Sequence, residues 1–272
     1  MAAAASGVAA SGATSGVRPF RGLLIDCEDL PKWEGHYELM FSKLERREGE
    51  TWTVVAAARG GDLACATPWG WDAIVISGSH YDVRDDLPWM RAVGKVIESA
   101  VLGPVPAGEA QRRPQVFGSC FGHQLAAKVL GGRVGRNPAG FVFRAEELQP
   151  LAALAAHPAA AGVLEAGSGG DEVRLRILES HGDAVLEVPE CGTLLATSAS
   201  CGVEMWGVGD HFLALQSHPE FGVPEMELIL PDVRDVLADG GEAAYKASLE
   251  APRDERVLLA ILRRFVRREW DA

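Results

Sequence analysis

Strand-length apolar runs alternate with helical patterns through the first half of the chain, and this limits the fold more than any other feature. "GLLIDC" (22–27), "WTVVAAA" (52–58), "DAIVISGS" (72–79) and "QVFGSC" (115–120) read as strands. They are nearly continuous apolar runs, as strands buried on both faces require. Between the first two, "HYELMFSKLERR" (36–47) puts Tyr37, Met40, Phe41 and Leu44 on one helical face. "LPWMRAVGKVIESAVL" (87–102) reads as a second helix with Asp86 placed to cap it. "FGHQLAAKVLGG" reads as a third, ended by glycine. The alternation predicts an α/β protein, with a central, mostly parallel sheet and helices on both faces.

The second half changes character. "VRLRILESHGD", "TLLATSAS", "VEMWGVGD" and "HFLALQSHPEF" are short strands joined by tight turns, which predicts an antiparallel extension. Helical patterns follow near 224–237, 241–249 and 254–268. Segments 103–114 and 156–171 read as loops or insertions. Residues 1–20 form an acid-free Ala, Ser and Gly tail, and 21–272 a single domain. The tail reads as disordered, with a plastid or mitochondrial transit peptide as the alternative.

A net charge of -12 argues against a nucleic-acid or anionic-membrane binder. The arginines of "RRFVRREW" read as complementing the dipole of a C-terminal helix. No apolar run approaches the ~18 residues of a membrane span. The five cysteines (27, 65, 120, 191, 201) are widely spaced and form no C-x-x-C. That speaks against a disulfide framework or a zinc site and for a reducing, cytoplasmic setting.

Cys120 stands out. It lies between Gly118 and Gly122, at the carboxyl end of a predicted strand and the start of a helix. Ligands of open α/β sheets sit beyond such strand ends, and a helix N-terminus favours a thiolate. The glycines would let the chain turn sharply, as in a nucleophile elbow. A structural turn cysteine is the competing reading. A working thiol needs a base and an orienting acid. "LALQSHPEF" offers His218 and Glu220 after a strand, with Pro219 favouring an extended backbone and so a shared face for the two.

"GSCFGHQ" followed about a hundred residues later by "SHPE" resembles the class I (triad) glutamine amidotransferases. The likeness is nearest to stand-alone plant-type γ-glutamyl peptidases. These share "SGS", "CFGHQ", "GG-x-VGR", "VEM" and "HPE" in this order, from about Leu23 to Phe221. The resemblance implies their flavodoxin-like fold. It implies Cys120 as nucleophile, His218 as general base and acid, and Glu220 as its orienting carboxylate. The backbone N–H groups of Phe121 and Ser79 would form the oxyanion hole. Gly78, Gln124, Gly182 and Asp183 would contact the substrate. The reaction implied is acyl transfer from a small γ-glutamyl amide through a thioester, without metal or organic cofactor. One departure is "AGFVFRAEEL" after "GGRVGRNP", where relatives carry a Glu soon after a glycine.

Three functions remain open at this point. A hydrolase of γ-glutamyl peptides, such as glutathione or its conjugates, is favoured by the closeness of that resemblance and by the lack of an ATP-binding acceptor domain, of which a G-x-x-x-x-G-K phosphate loop would be the sign. A glutaminase serving a separate synthase is the second. A catalytically silent binding module is the third. A DJ-1-like protein is disfavoured because Phe121, not histidine, follows the cysteine. His123 reads as structural, and His181 as a substrate contact or a turn residue. "HYDVRDD" (80–86) reads as a solvated helix start or an acidic rim, and His36, His157 and His211 as surface residues.

Overall fold

The computed structural model describes residues 18–107, 112–164, 175–238, 240–251 and 255–270. The tail assigned to residues 1–20 therefore lies mostly outside the described residues. Four predicted strands form as β1 (Arg21–Asp26), β2 (Thr51–Ala56), β3 (Ala73–Ile76) and β4 (Gln115–Ser119). Three helices run between or after them: α1 (Tyr37–Lys43), α2 (Pro88–Val101) and α3 (Phe121–Val129). These are followed by β5 (Arg133–Arg136), β6 (Val142–Pro150), the short α4 (Ala152–Ala155) and β7 (Leu175–His181). Next come β8 (Asp183–Glu187), β9 (Thr193–Thr197), β10 (Met205–Val208) and β11 (Phe212–Leu215). The chain closes with α5 (Val223–Val233), α6 (Gly241–Ser248) and α7 (Glu255–Arg267).

Nine strands join one sheet in the order β2-β1-β3-β4-β11-β10-β9-β6-β7. The first five are mutually parallel, and the rest pair antiparallel. The expected extension thus continues the same sheet. β5 and β8 form a separate antiparallel pair that sets Arg136 opposite Asp183.

The apolar runs explain the layers. Leu23, Ile25, Ile74, Ile76 and Val116 point to one face, under α2 and α3. Their neighbours Leu24, Val75 and Phe117 point to the other, under α1 and α7. Burying each such side chain stabilises the fold by roughly 1.5–3 kcal/mol. A third cluster, with Trp33, Phe143, Phe221, Met226 and Tyr245, seats α5 and α6 on β6 and β7.

Several expectations change. Asp86 does not cap α2: it is left-handed (φ 51°) and accepts from Arg91, while Leu87 takes the cap position with Pro88 starting the helix. The described part of 156–171 runs mostly in turns, as a loop should, yet it buries Ala159, Ala160 and Leu164 in the α7 face of the core. Part of 103–114 and of 156–171 lies outside the described residues. The C-terminal arginines act as tethers. Arg267 pairs with Glu50 at 2.6 Å in a buried contact, Arg263 donates to the Lys43 carbonyl and Arg264 to that of Ala161. His157, His211 and His36 are not surface residues. His157 is buried near Phe265 and Trp270. His211 Nε2 lies 3.2 Å from the Val101 carbonyl, and His36 Nδ1 2.8 Å from that of Trp33.

Candidate active site

The carboxyl ends of β1, β3, β4 and β11 converge on Cys120. Its backbone is strained (φ 46°, ψ −97°), at a cost of about 1–3 kcal/mol. The Cys120 N–H donates to the Leu215 carbonyl at 2.8 Å, and the Gln124 N–H to the Cys120 carbonyl at 3.0 Å, which hold the turn from both sides. The flanking glycines are demanded by close approach. A Cβ at Gly118 would stand 2.8 Å from the Gly122 carbonyl carbon, and one at Gly122 2.7 Å from the Ile76 oxygen.

His218 follows β11 and is buried beside Cys120. Its Nδ1 lies 2.9 Å from Glu220 Oε1. The pair meets through a turn, closed by Phe221 N–H donating to the His218 carbonyl, and not through the extended backbone expected from Pro219. The imidazole stacks on Phe221 at 4.1 Å, and Phe221 stacks on Trp33 at 5.5 Å, so one ring backed by a second fixes the plane of the base. Burial by itself lowers the proton affinity of His218. The negative charges of Cys120 and Glu220, with hydrogen bonds to both, outweigh it and hold the imidazole at about 10. The Ser119 hydroxyl lies 3.4 Å from the other Glu220 oxygen.

Gly78 and Ser79 face this pair from the end of β3. A Cβ at Gly78 would reach within 3.0 Å of His218 Cε1 and 3.7 Å of Cys120 Cβ. Ser79 and Phe121 sit at the open ends of a strand and a helix, where main-chain donors lack regular partners. The buried Glu28 fixes this loop by accepting from the N–H groups of Asp29, Leu30 and His80, and its Oε1 lies 2.7 Å from His80 Nδ1. Within 80–86, Asp82 lines the cleft but is bound by Arg84.

A cleft of about 350 Å³ opens over the cysteine, with Gly78, Ser79, Gln124, Gly182 and Asp183 all in its walls. Gln124 is nearly buried and donates to the Asp183 carbonyl and to Gln216 Oε1. The Asp183 carboxylate is held by Arg84 at 3.0 Å, with Arg136 at 3.5 Å. Burial and Asp82 raise its proton affinity despite the two arginines. Gly182 packs so closely on Phe141 that a Cβ would stand 2.8 Å from the ring.

His123 is wholly buried, and burial lowers its proton affinity to about 3, in keeping with a structural role. His181 is also buried, and its Nδ1 lies 2.9 Å from the Asp183 carbonyl. Residues not singled out from the sequence also belong to the site. Gln216 Nε2 donates to Cys120 Sγ at 3.5 Å. Arg136 is an exposed cation in the cleft wall. Trp33 and the α5 residues Ile229, Asp232 and Val233 also line the cleft. Only Arg136 had a signal, as the last residue of "GG-x-VGR".

A strained cysteine at a strand–helix elbow, beside a carboxylate-held imidazole at the open end of a mixed sheet, has the arrangement of a nucleophile elbow with a base at hand. Residues 68–229 match the family model "Glutamine amidotransferase class-I". The chain is 31% identical to gamma-glutamyl peptidase 3 of Arabidopsis thaliana, over 86% of this chain and 89% of that one. It is 39% identical to the glutamine-hydrolyzing GMP synthase of Aeropyrum pernix over 108 residues, which cover 39% of this chain and 18% of that one. A crystal structure of a glutamine amidotransferase from Thermotoga maritima superposes with a TM-score of 0.65 at 22% identity, covering 93% and 99% of the two chains. The chain belongs to the class I glutamine amidotransferase family and is an enzyme of that type.

Proposed function

We propose that the enzyme hydrolyses γ-glutamyl amide bonds in small γ-glutamyl peptides through a thioester on Cys120. The observation that carries this reading is the extent of the cleft. Its walls include the Asp183 loop, Cys120, His218, Trp33 and α5 around about 350 Å³, room for a leaving group larger than ammonia.

The chemistry follows from the proton inventory. An imidazole held at about 10 is protonated at neutral pH, and it stands beside the Cys120 sulfur. The Cys120 sulfur attacks the γ-carbonyl carbon, and the Ser79 and Phe121 N–H groups receive the oxyanion. As the tetrahedral intermediate collapses, the C–N bond breaks and His218 gives its proton to the leaving nitrogen. The now neutral imidazole then takes a proton from water. The hydroxide adds to the thioester carbonyl, the C–S bond breaks and glutamate leaves, restoring the thiolate–imidazolium pair. Glu220 keeps His218 aimed and offsets its charge. Gln216 steadies the sulfur. In the γ-glutamyl head pocket Arg136 pairs with the α-carboxylate. The α-amino group meets Gly182 and Asp183, where it shares the carboxylate with Arg84.

The similarity to a glutamine-hydrolyzing synthase supports a second reading, in which glutamine is cleaved and ammonia passes to a separate synthase. Release of glutamate from γ-glutamyl dipeptides and from glutamine separates the two. A kcat/KM for peptides at least tenfold above that for glutamine supports the peptidase. Glutamine turnover that rises only with an added synthase overturns it.

A further inference from the structure

Next to the elbow, and sharing His181 with the cleft wall, lies a second cluster to which the reaction above gives no role. Glu179 and His181 stand two apart on β7, so they share a face. Cys201 and Glu204 flank the tight turn that leads into β10. His181 Nε2, Cys201 Sγ and a Glu204 carboxylate oxygen all lie within 4.8 Å of one another. Glu179 Oε2 lies 3.7 Å from His181 Nε2. Glu179 and Glu204 are 0% exposed, Cys201 2% and His181 4%.

The hydrogen bonds decide what the cluster lacks. His181 Nδ1 is 2.9 Å from the Asp183 carbonyl, which can only accept, so Nδ1 carries the proton. Nε2 therefore presents a lone pair, and it has no hydrogen-bond partner. Neither Glu179 oxygen nor Glu204 Oε2 has a partner at hydrogen-bond distance and angle, although the Ser217 hydroxyl and the two carboxyls lie close enough to act on one another's proton affinity. A nitrogen lone pair facing a buried carboxylate repels it unless something positive stands between them. A proton on Glu179 would bridge poorly across 3.7 Å, beyond the usual ~3.2 Å limit for N···O. A tetrahedral zinc ion with bonds of about 2.0–2.3 Å keeps its ligand atoms roughly 3.3–3.8 Å apart. The Glu179–His181 separation is on that scale, and His181, Cys201 and Glu204 lie within 4.8 Å of one another, so an entering ion would draw the group in slightly.

We propose that Glu179, His181, Cys201 and Glu204 bind one divalent transition-metal ion, with zinc matching the mixed nitrogen, sulfur and oxygen donors. The spacing is E-x-H on a strand and C-x-x-E around a turn. Lack of C-x-x-C speaks against thiolate-rich sites, and this one takes a single thiolate. The second-layer contact is also in place, since a metal-bound imidazole ordinarily donates its other N–H to a carbonyl or carboxylate. Binding would release the Cys201 proton, which now points to the Val203 carbonyl at 3.5 Å. Through His181 the ion would fix the Asp183 carbonyl, which also receives Gln124. The ion is thus structural, tying the substrate loop to the turn before β10, and takes no part in bond breaking.

The test uses the full chain, expressed with zinc and dialysed against metal-free buffer. Metal per chain is measured by mass spectrometry, and the cobalt(II)-substituted protein by its absorption spectrum. Expected are about one equivalent of metal and a near-ultraviolet thiolate-to-cobalt band. The band survives Cys120→Ala and disappears in Cys201→Ala, and added zinc raises the Tm of wild type but not of Glu179→Gln. Folded wild type that holds under a tenth of an equivalent and gives no cobalt band overturns the proposal. So does a band lost in Cys120→Ala, which would place the metal on the nucleophile. If Cys201→Ala fails to fold, wild type and Cys120→Ala decide by themselves.

Discussion

The elbow can be tested at Gly122. A methyl group there would stand 2.7 Å from the Ile76 carbonyl oxygen, where 3.4 Å is the near limit of ordinary contact. In Gly122→Ala, α3 must therefore back away from β3 by about 0.7 Å. Cys120 begins α3 and moves with it, while Ser79, three residues past Ile76, stays with β3. An oxyanion bond of about 2.9 Å would lengthen to roughly 3.6 Å and cease to be one. Losing one such donor costs about 10²–10³ in kcat, and overpacking costs about 1–3 kcal/mol of stability. Release of glutamate from a γ-glutamyl peptide gives kcat and KM, and calorimetry gives Tm. Gly202→Ala is the control, since a methyl there meets open space. It should leave kcat unchanged. Gly122→Ala with wild-type kcat and Tm would refute the claim that close packing of α3 on β3 positions the nucleophile.

Three more outcomes follow from the charges. Glu220→Gln removes one of the negative charges that hold His218 at about 10, so the alkaline limb of kcat/KM moves from near pH 10 towards 6.5 and the neutral-pH rate falls about 10²-fold. An unmoved limb contradicts the role given to Glu220. Because the folded imidazole binds its proton more tightly than the unfolded one, its contribution to stability is fully present below pH 6.5 and is lost as pH rises towards 10. The Tm difference between wild type and His218→Ala should shift against wild type across that window, and a constant difference would be at odds with the ion pair. Arg136→Ala should raise KM about tenfold with kcat nearly unchanged, as expected for loss of an α-carboxylate contact. A fall in kcat alone would move Arg136 out of the head pocket.

β1, β3, β4 and β11 were legible because they are buried on both faces and carry few polar residues, whereas β2, expected to be buried, is the partly exposed edge strand and ends at Ala56. The elbow was legible because only glycine fits on either side of Cys120 where α3 crosses β4. β6 was missed for the opposite reason. Its sequence "VFRAEELQP" carries Arg144, Glu146 and Glu147, yet Glu146 is buried and satisfied by Ser200. Single-sequence patterns read such charges as exposed. His157 and His211 failed likewise, since a ring and a carbonyl distant in the chain cover them, while His36 is held locally by the Trp33 carbonyl three residues back. Gln216 looked like an ordinary strand end, and its contact with the sulfur depends on β11 lying beside β4. His218 and Glu220 were paired correctly for a reason that proved wrong, because a turn brings them together.

The central claim is a γ-glutamyl thioester on Cys120. Wild type mixed with a γ-glutamyl peptide, quenched in acid within one turnover and digested, can be read by mass spectrometry. The account predicts a mass gain of one γ-glutamyl group on the peptide containing Cys120, released by hydroxylamine and absent from Cys120→Ala, which should also lack turnover. Undiminished turnover in Cys120→Ala, with no adduct in wild type, would contradict it.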